Sequence, residues 1–143
     1  MKLKLDYDIT TSTFKYVESL WFRYYDMQSK MKDIEMDVEI QEDVNKDIKA
    51  KGLTNDPTAK EVFRIDYARR NKQYQTLEKN VQAIEHVFNS LPDEYKTVAR
   101  ARYFTKHSKQ WRDIAHDTGY SVRHAIRIRD MIVTATAEKL GLW

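Results

Sequence analysis

Gly119 is one of only three glycines in 143 residues, and its neighbours narrow what the C-terminal third of the chain can fold into. It lies in the run W-R-D-I-A-H-D-T-G-Y-S-V-R-H-A-I-R-I-R-D, from Trp111 to Asp130, four residues after Ala115 and two before Ser121. Two helices that cross at close range need a small side chain where they touch, and Ala115 supplies one. Glycine enters the left-handed conformation of a helix stop without steric cost, so Gly119 suits the sharp turn that follows. Ser121 is placed to cap the next helix by accepting from an otherwise unpaired backbone N–H. Ile114, Tyr120, Ala125 and Ile128 complete the pattern as inward-facing positions. The spacing predicts a helix-turn-helix.

At 100 degrees per residue, Ala125, Ile128 and Ile132 point to one side of the second helix, while Arg123 and Arg127 lie one turn apart on the other. An arginine fork matches the O6 and N7 acceptors of guanine in the major groove and also neutralises phosphate. Double-stranded DNA is therefore the expected partner, with Arg123 and Arg127 reading bases and Ser121, His124 and Arg129 flanking them. Asp130 is expected to hold Arg127 or to accept from a cytosine amino group. Lys106, Lys109 and Arg112 are expected on phosphates. The charge distribution agrees: residues 91–143 hold ten Lys and Arg against six Asp and Glu, whereas residues 1–90 hold 15 against 16. The net charge of +3 thus belongs to the C-terminal segment, where it attracts a polyanion.

Few glycines and only two prolines leave a chain that reads as all-α. From Phe14 to about Lys51, Val17, Leu20, Tyr24, Met27, Met31, Ile34 and Val38 recur at steps of three and four, the seam of a coiled coil interrupted at Gln41 and Asn45. Gly52-Leu53-Thr54-Asn55-Asp56-Pro57 is a turn, and Thr58-Ala59-Lys60-Glu61 reads as a capping box that restarts a helix. A second seam follows through Phe63, Tyr67, Arg70, Tyr74, Leu77, Val81, Ile84 and Phe88. Two long helices joined by a short loop predict an antiparallel, coiled-coil-like hairpin, each arm roughly 50 Å long at 1.5 Å per residue. Trp21, Phe22, Tyr25, Val62 and Ile65 exceed what one two-helix seam can absorb, which predicts a third packed helix or a second chain. The expected partner list therefore includes a homo-oligomer, most simply a dimer built through residues 14–90.

Ser90-Leu91-Pro92-Asp93 marks the next break, with serine as the expected cap and proline tolerated in the first turn. Two domains are expected, a helical hairpin over 1–90 for oligomerisation or partner contact and a DNA-binding domain over 91–143. Within the latter, Leu91, Tyr95 and Val98 form an inward stripe, Tyr103 and Phe104 close the helix, and Trp111 is expected in the core.

Leu91-Pro92-Asp93-Glu94-Tyr95, Arg102-Tyr103-Phe104 and Asp113-Ile114-Ala115 with the turn resemble the fourth conserved region of bacterial sigma factors, over about the last third of the chain. Two extra residues separate Tyr103-Phe104 from Ile114-Ala115, and nothing upstream resembles the other sigma regions. The layout is closer to the ArpU and RinA group of phage transcriptional regulators, with an ending like Ser121-Val122-Arg123-His124-Ala125-Ile126-Arg127-Ile128 through Ala137-Glu138-Lys139-Leu140-Gly141. That resemblance implies activation of late phage genes for packaging and lysis by binding DNA near their promoter, in the cytoplasm of the bacterial host. The alternatives are a small-terminase-like packaging protein and a module that binds host RNA polymerase through its sigma-like fold.

Catalysis is not expected. The chain has no cysteine, and His86, His107, His116 and His124 form no recognisable metal spacing. His116-Asp117 reads as surface polarity, Asp6 and Asp8 are weak cation ligands, and no glycine loop for phosphate is present. No cofactor is expected. The N-terminal sequence lacks the apolar core of a signal peptide, and no segment has the apolar run needed to cross a bilayer.

Overall fold

The computed structural model describes residues 9–53, 56–107 and 109–143; Asp6, Asp8 and the Thr54-Asn55 part of the expected turn lie outside them. All regular structure among the described residues is helical. The helices are α1 (Thr11–Phe22), α2 (Tyr24–Glu35), α3 (Val38–Ala50), α4 (Pro57–Ala68), α5 (Lys72–Ser90), α6 (Asp93–Tyr103), α7 (Trp111–Thr118) and α8 (Val122–Leu140). They belong to two compact units. One unites the described residues up to Tyr24 with Gln82–Trp143, and the other is Tyr25–Val81. The break expected at residue 90 is therefore not where the units divide, and α1 belongs with the C-terminal helices.

In the first unit α1 packs on α8, α7 packs on α8, and α6 packs on both. The steps of three and four on α1 bury Val17, Leu20 and Trp21. Opposite them α8 contributes Ile128, Ile132, Val133 and Ala137, all fully buried. Val17, Val133 and Ala137 form one apolar cluster edged by Ile9 and Phe14. The indole of Trp21 brings a polar N–H into this core, and burial without a partner would be costly. Its Nε1 donates to Thr136 Oγ1 at 3.0 Å, and the Thr136 hydroxyl donates in turn to the Ile132 carbonyl at 2.8 Å. Trp21 also stacks on Phe104 at 5.8 Å and lies 5.5 Å from Tyr103, while Phe22 meets Tyr103 edge-on at 4.8 Å. Trp21, surplus to a two-helix seam, is thus buried inside this unit, while Phe22, surplus in the same way, touches Tyr103 and stays 42% exposed.

In the Tyr25–Val81 unit α3 packs against α4, with Val44 and Ile48 buried on α3 and Ala68 on α4. The two 50 Å arms are not formed, because local caps interrupt them where no glycine or proline gives warning. Asp37 accepts from the Glu39 N–H at 3.0 Å and starts α3 anew, and Asn71 accepts from the Tyr74 N–H at 3.1 Å and starts α5. Short polar side chains offer the backbone this alternative to a continuous ladder. Val38 consequently leaves the seam and is 72% exposed, and Arg70 falls between helices with its guanidinium over the Tyr67 ring. Two expected caps also shift. Asp56, not the Thr58-Glu61 box, caps α4 by accepting from the Thr58 and Ala59 N–H groups, with Pro57 in the first turn. Ser90 closes α5 by donating to the His86 carbonyl, and α6 starts from Pro92.

Replacing Thr136 by the isosteric valine leaves the Trp21 N–H buried without an acceptor, so Thr136→Val should destabilise the protein by about 1–3 kcal/mol in a urea titration, while Thr136→Ser retains most of the stability.

Tyr74 gives a second test. Its phenol donates to Glu35 Oε2 at 3.2 Å, and burial, then the charge of Glu35, push its pKa up to about 12. The fold favours the protonated phenol. The contribution is complete below about pH 10, where the unfolded tyrosine is also neutral. It is lost as the pH rises from there towards about 12. Denaturant midpoints should fall more steeply across this window in the wild type than in Tyr74→Phe, and equal slopes would count against the burial of this phenol.

Candidate nucleic-acid interface

The geometry around Gly119 is set by local bonds. Gly119 has φ of 76° and donates its N–H to the Ala115 carbonyl at 3.0 Å, ending α7 in the left-handed conformation. Thr118 donates its hydroxyl to the Ile114 carbonyl, and Ser121 caps α8 by accepting from the His124 N–H at 3.1 Å. Ile114, Ala125, Ile128 and Ile132 are fully buried. Tyr120 and Ala115 are half-buried, and the Tyr120 ring meets His124 edge-on at 4.7 Å.

With that apolar side turned inward, Arg123 and Arg127 are exposed one turn apart. Neither has an ion-pair partner among the described residues. Lys106 and Arg112 are exposed in the same way, Ser121 is exposed while serving as a cap, and His124 is half-buried.

Two other basic residues stand differently. Arg129 is not a surface cation: its side chain is only 17% exposed, Nη1 donates to Glu18 Oε2 at 3.0 Å, and Nε donates to Asp130 Oδ1 at 2.7 Å. Its guanidinium lies 5.1 Å from the ring centres of both Phe14 and Trp111. Burial alone would lower its pKa, but the bonds to Asp130 and Glu18 outweigh that and raise it, so it stays charged. Asp130 is therefore committed to Arg129 and not to Arg127. The helical wheel carries the signal, since Arg129 follows the buried Ala125 by four residues and precedes the buried Ile132 by three. Lys109 forms a half-exposed pair with Asp117 at 2.7 Å. That hydrogen bond raises the lysine pKa and lowers that of the aspartate.

Glu18 also accepts from the Tyr103 hydroxyl at 2.7 Å. Burial, followed by the Glu18 charge, pushes the Tyr103 phenol far above its ordinary range, so it remains a neutral donor. Arg102 has no expected role in the sequence, yet Nη1 donates to the Lys109 carbonyl at 3.0 Å and its guanidinium lies 4.7 Å from the Trp111 ring centre. Trp111 is half-buried in contact with two guanidinium groups, which distinguishes it from an ordinary core residue. These contacts tie the connection between α6 and α7 in place.

His116 is almost fully exposed and 3.7 Å from Asp117. Among the described residues no group of three or more His, Asp or Glu is arranged to hold a metal ion, and no helix is long and apolar enough to cross a membrane.

The chain belongs to the family described as protein of unknown function (DUF722), which matches residues 9–138. No curated protein and no solved structure gives a significant match. The family match begins two residues before α1 and runs nearly to the end of α8, so it takes in parts of both halves of the discontinuous unit.

Removing Arg129 should act on the fold before it acts on any ligand. Arg129→Met strands the largely covered Glu18 carboxylate and should cost about 2–4 kcal/mol, whereas Glu18→Gln combined with Arg129→Met leaves no lone charge and should recover part of that loss. Thermal unfolding of the three variants checks this, and unchanged stability in Arg129→Met would contradict the structural role.

Proposed function

We propose that this protein is a sequence-specific double-stranded DNA-binding transcriptional regulator, an activator of phage late genes, that acts in the cytoplasm of the bacterial host. In this reading α7, the Gly119 turn and α8 form a helix-turn-helix, and α8 enters the major groove. The observation that carries it is the pair Arg123 and Arg127, exposed one turn apart and without an acid partner among the described residues, on a helix whose opposite side is fully buried. The planar arginine fork matches the paired acceptors guanine O6 and N7. Lys106 and Arg112 dock on phosphate, and Lys109 joins them by exchanging Asp117 for a phosphate oxygen. Arg129 takes no part, because Glu18 and Asp130 already occupy it.

The salt dependence distinguishes this arrangement from one in which every basic residue meets DNA. Three phosphate contacts per unit give a log affinity against log salt slope of about −3, where including Arg129 and further contacts would give about −4 to −5. Arg123→Ala or Arg127→Ala should cost about 1–3 kcal/mol on the cognate site and relax preference at one base pair. Lys106→Ala should weaken cognate and random DNA alike and make the slope shallower by about one. Binding of each folded variant to single-base operator variants is the measurement. Full affinity with unchanged base preference in both arginine variants would exclude this face as the reader, and a complete lack of DNA binding would replace the reading with protein docking.

A further inference from the structure

The Tyr25–Val81 unit segregates its charges along the chain. Residues 33–43 carry six acidic residues and no basic one, whereas residues 60–72 carry five basic residues against two acidic. In the second segment Arg69 is engaged by Asp66 and Glu78. Among the described residues Arg64, Arg70, Glu39 and Asp43 form no ion pair. Exposed apolar side chains are interleaved with these charges: Met36 is 50% and Val62 52% exposed, and Val38 stands between Asp37 and Glu39.

We infer that two copies of this chain pair through this unit, the acidic segment 33–43 of each copy lying against the basic segment 60–72 of the other. The two segments border a single cavity of about 410 Å³, where Asp37, Glu39 and Asp43 face the same space as Tyr67 and Arg70. Acid and base therefore adjoin on one surface. A two-fold axis through such a surface turns each sign onto its opposite, so the contact is made twice and is self-complementary. Nucleic acid would be repelled by the acidic half, and a purely basic partner would leave the basic half uncovered. A second copy satisfies both halves by symmetry.

Two helices of this length side by side present on the order of 400 Å² per copy, about half of a standard stable interface, so pairing is weak and, being carried by charge, is weakened by salt.

Sedimentation equilibrium of the full chain without DNA, at tens of micromolar and at two salt concentrations, tests the pairing independently of the DNA-binding reading. Glu39→Lys with Asp43→Lys, and separately Arg64→Glu with Arg70→Glu, place like charges opposite each other, and each double variant alone should associate at least about tenfold more weakly. Mixed one to one, the two should recover part of the wild-type association, because opposite signs meet again at the four exchanged positions. Circular dichroism confirms that each is folded. If Arg64→Glu unfolds the chain, Arg70→Glu with Lys72→Glu takes its place. A monomeric wild type, variants that pair as tightly as the wild type, or folded variants that fail to associate when mixed would each overturn the proposal.

Discussion

Glu18 places a carboxylate where two donors converge, and three helices far apart in sequence depend on it. It accepts from Tyr103 at the end of α6 and from Arg129 on α8, while its own helix, α1, packs along α8. A charge so largely covered is tolerable only when paired and hydrogen-bonded, and here Glu18 accepts from two donors while Arg129 donates to two carboxylates. Arg129 is held by Asp130 as well as Glu18 and rests against Phe14 and Trp111. Tyr103 contributes a proton that burial makes hard to remove. Apolar packing of Val17, Leu20 and Trp21 supplies the bulk of the attraction, and it would permit some sliding of α1 along α8. The directional bonds of Glu18 and of Trp21 to Thr136 select one register.

This arrangement divides the arginines of α8 by a simple angular rule. Positions 123 and 127 share the side away from Ala125, Ile128 and Ile132, whereas position 129 turns back towards them. The same residue type thus does two jobs within seven residues: outward it offers an open fork, and inward it fastens the helix that carries that fork. Charge counting along a sequence cannot separate the two.

What was legible in the sequence was local. Gly119 at a left-handed stop, Ser121 as a cap and the inward set Ile114, Ala125 and Ile128 could be read because each depends on neighbours a few residues away. The all-helical class was legible for the same reason. Illegible were the pairings across 111 residues from Glu18 to Arg129 and across 115 from Trp21 to Thr136, which made Trp21 look surplus and Arg129 look available. The long seams misled in another way. Their periodicity was real for Val17, Leu20 and Met27, but Asp37 and Asn71 cap new helices within them, and a hydrophobic count does not register a side-chain oxygen that competes for a backbone N–H. The basic residues 106 and 112 stand exposed as expected, while Lys109 meets Asp117 eight positions later, a pairing that no helical spacing rule anticipates.

The partnership of α1 with α8 also bears on how the chain is made. Trp21 leaves the ribosome 115 residues ahead of the threonine that accepts its N–H, a lag of roughly 6–23 s at ordinary elongation rates of about 5–20 residues per second. Throughout that interval Val17, Leu20 and Trp21 have no α8 to cover them, while the intervening residues 25–81, which make up the other unit, emerge complete. A nascent chain of this design carries the apolar stripe of α1 without its partner until residues 128–137 have been added.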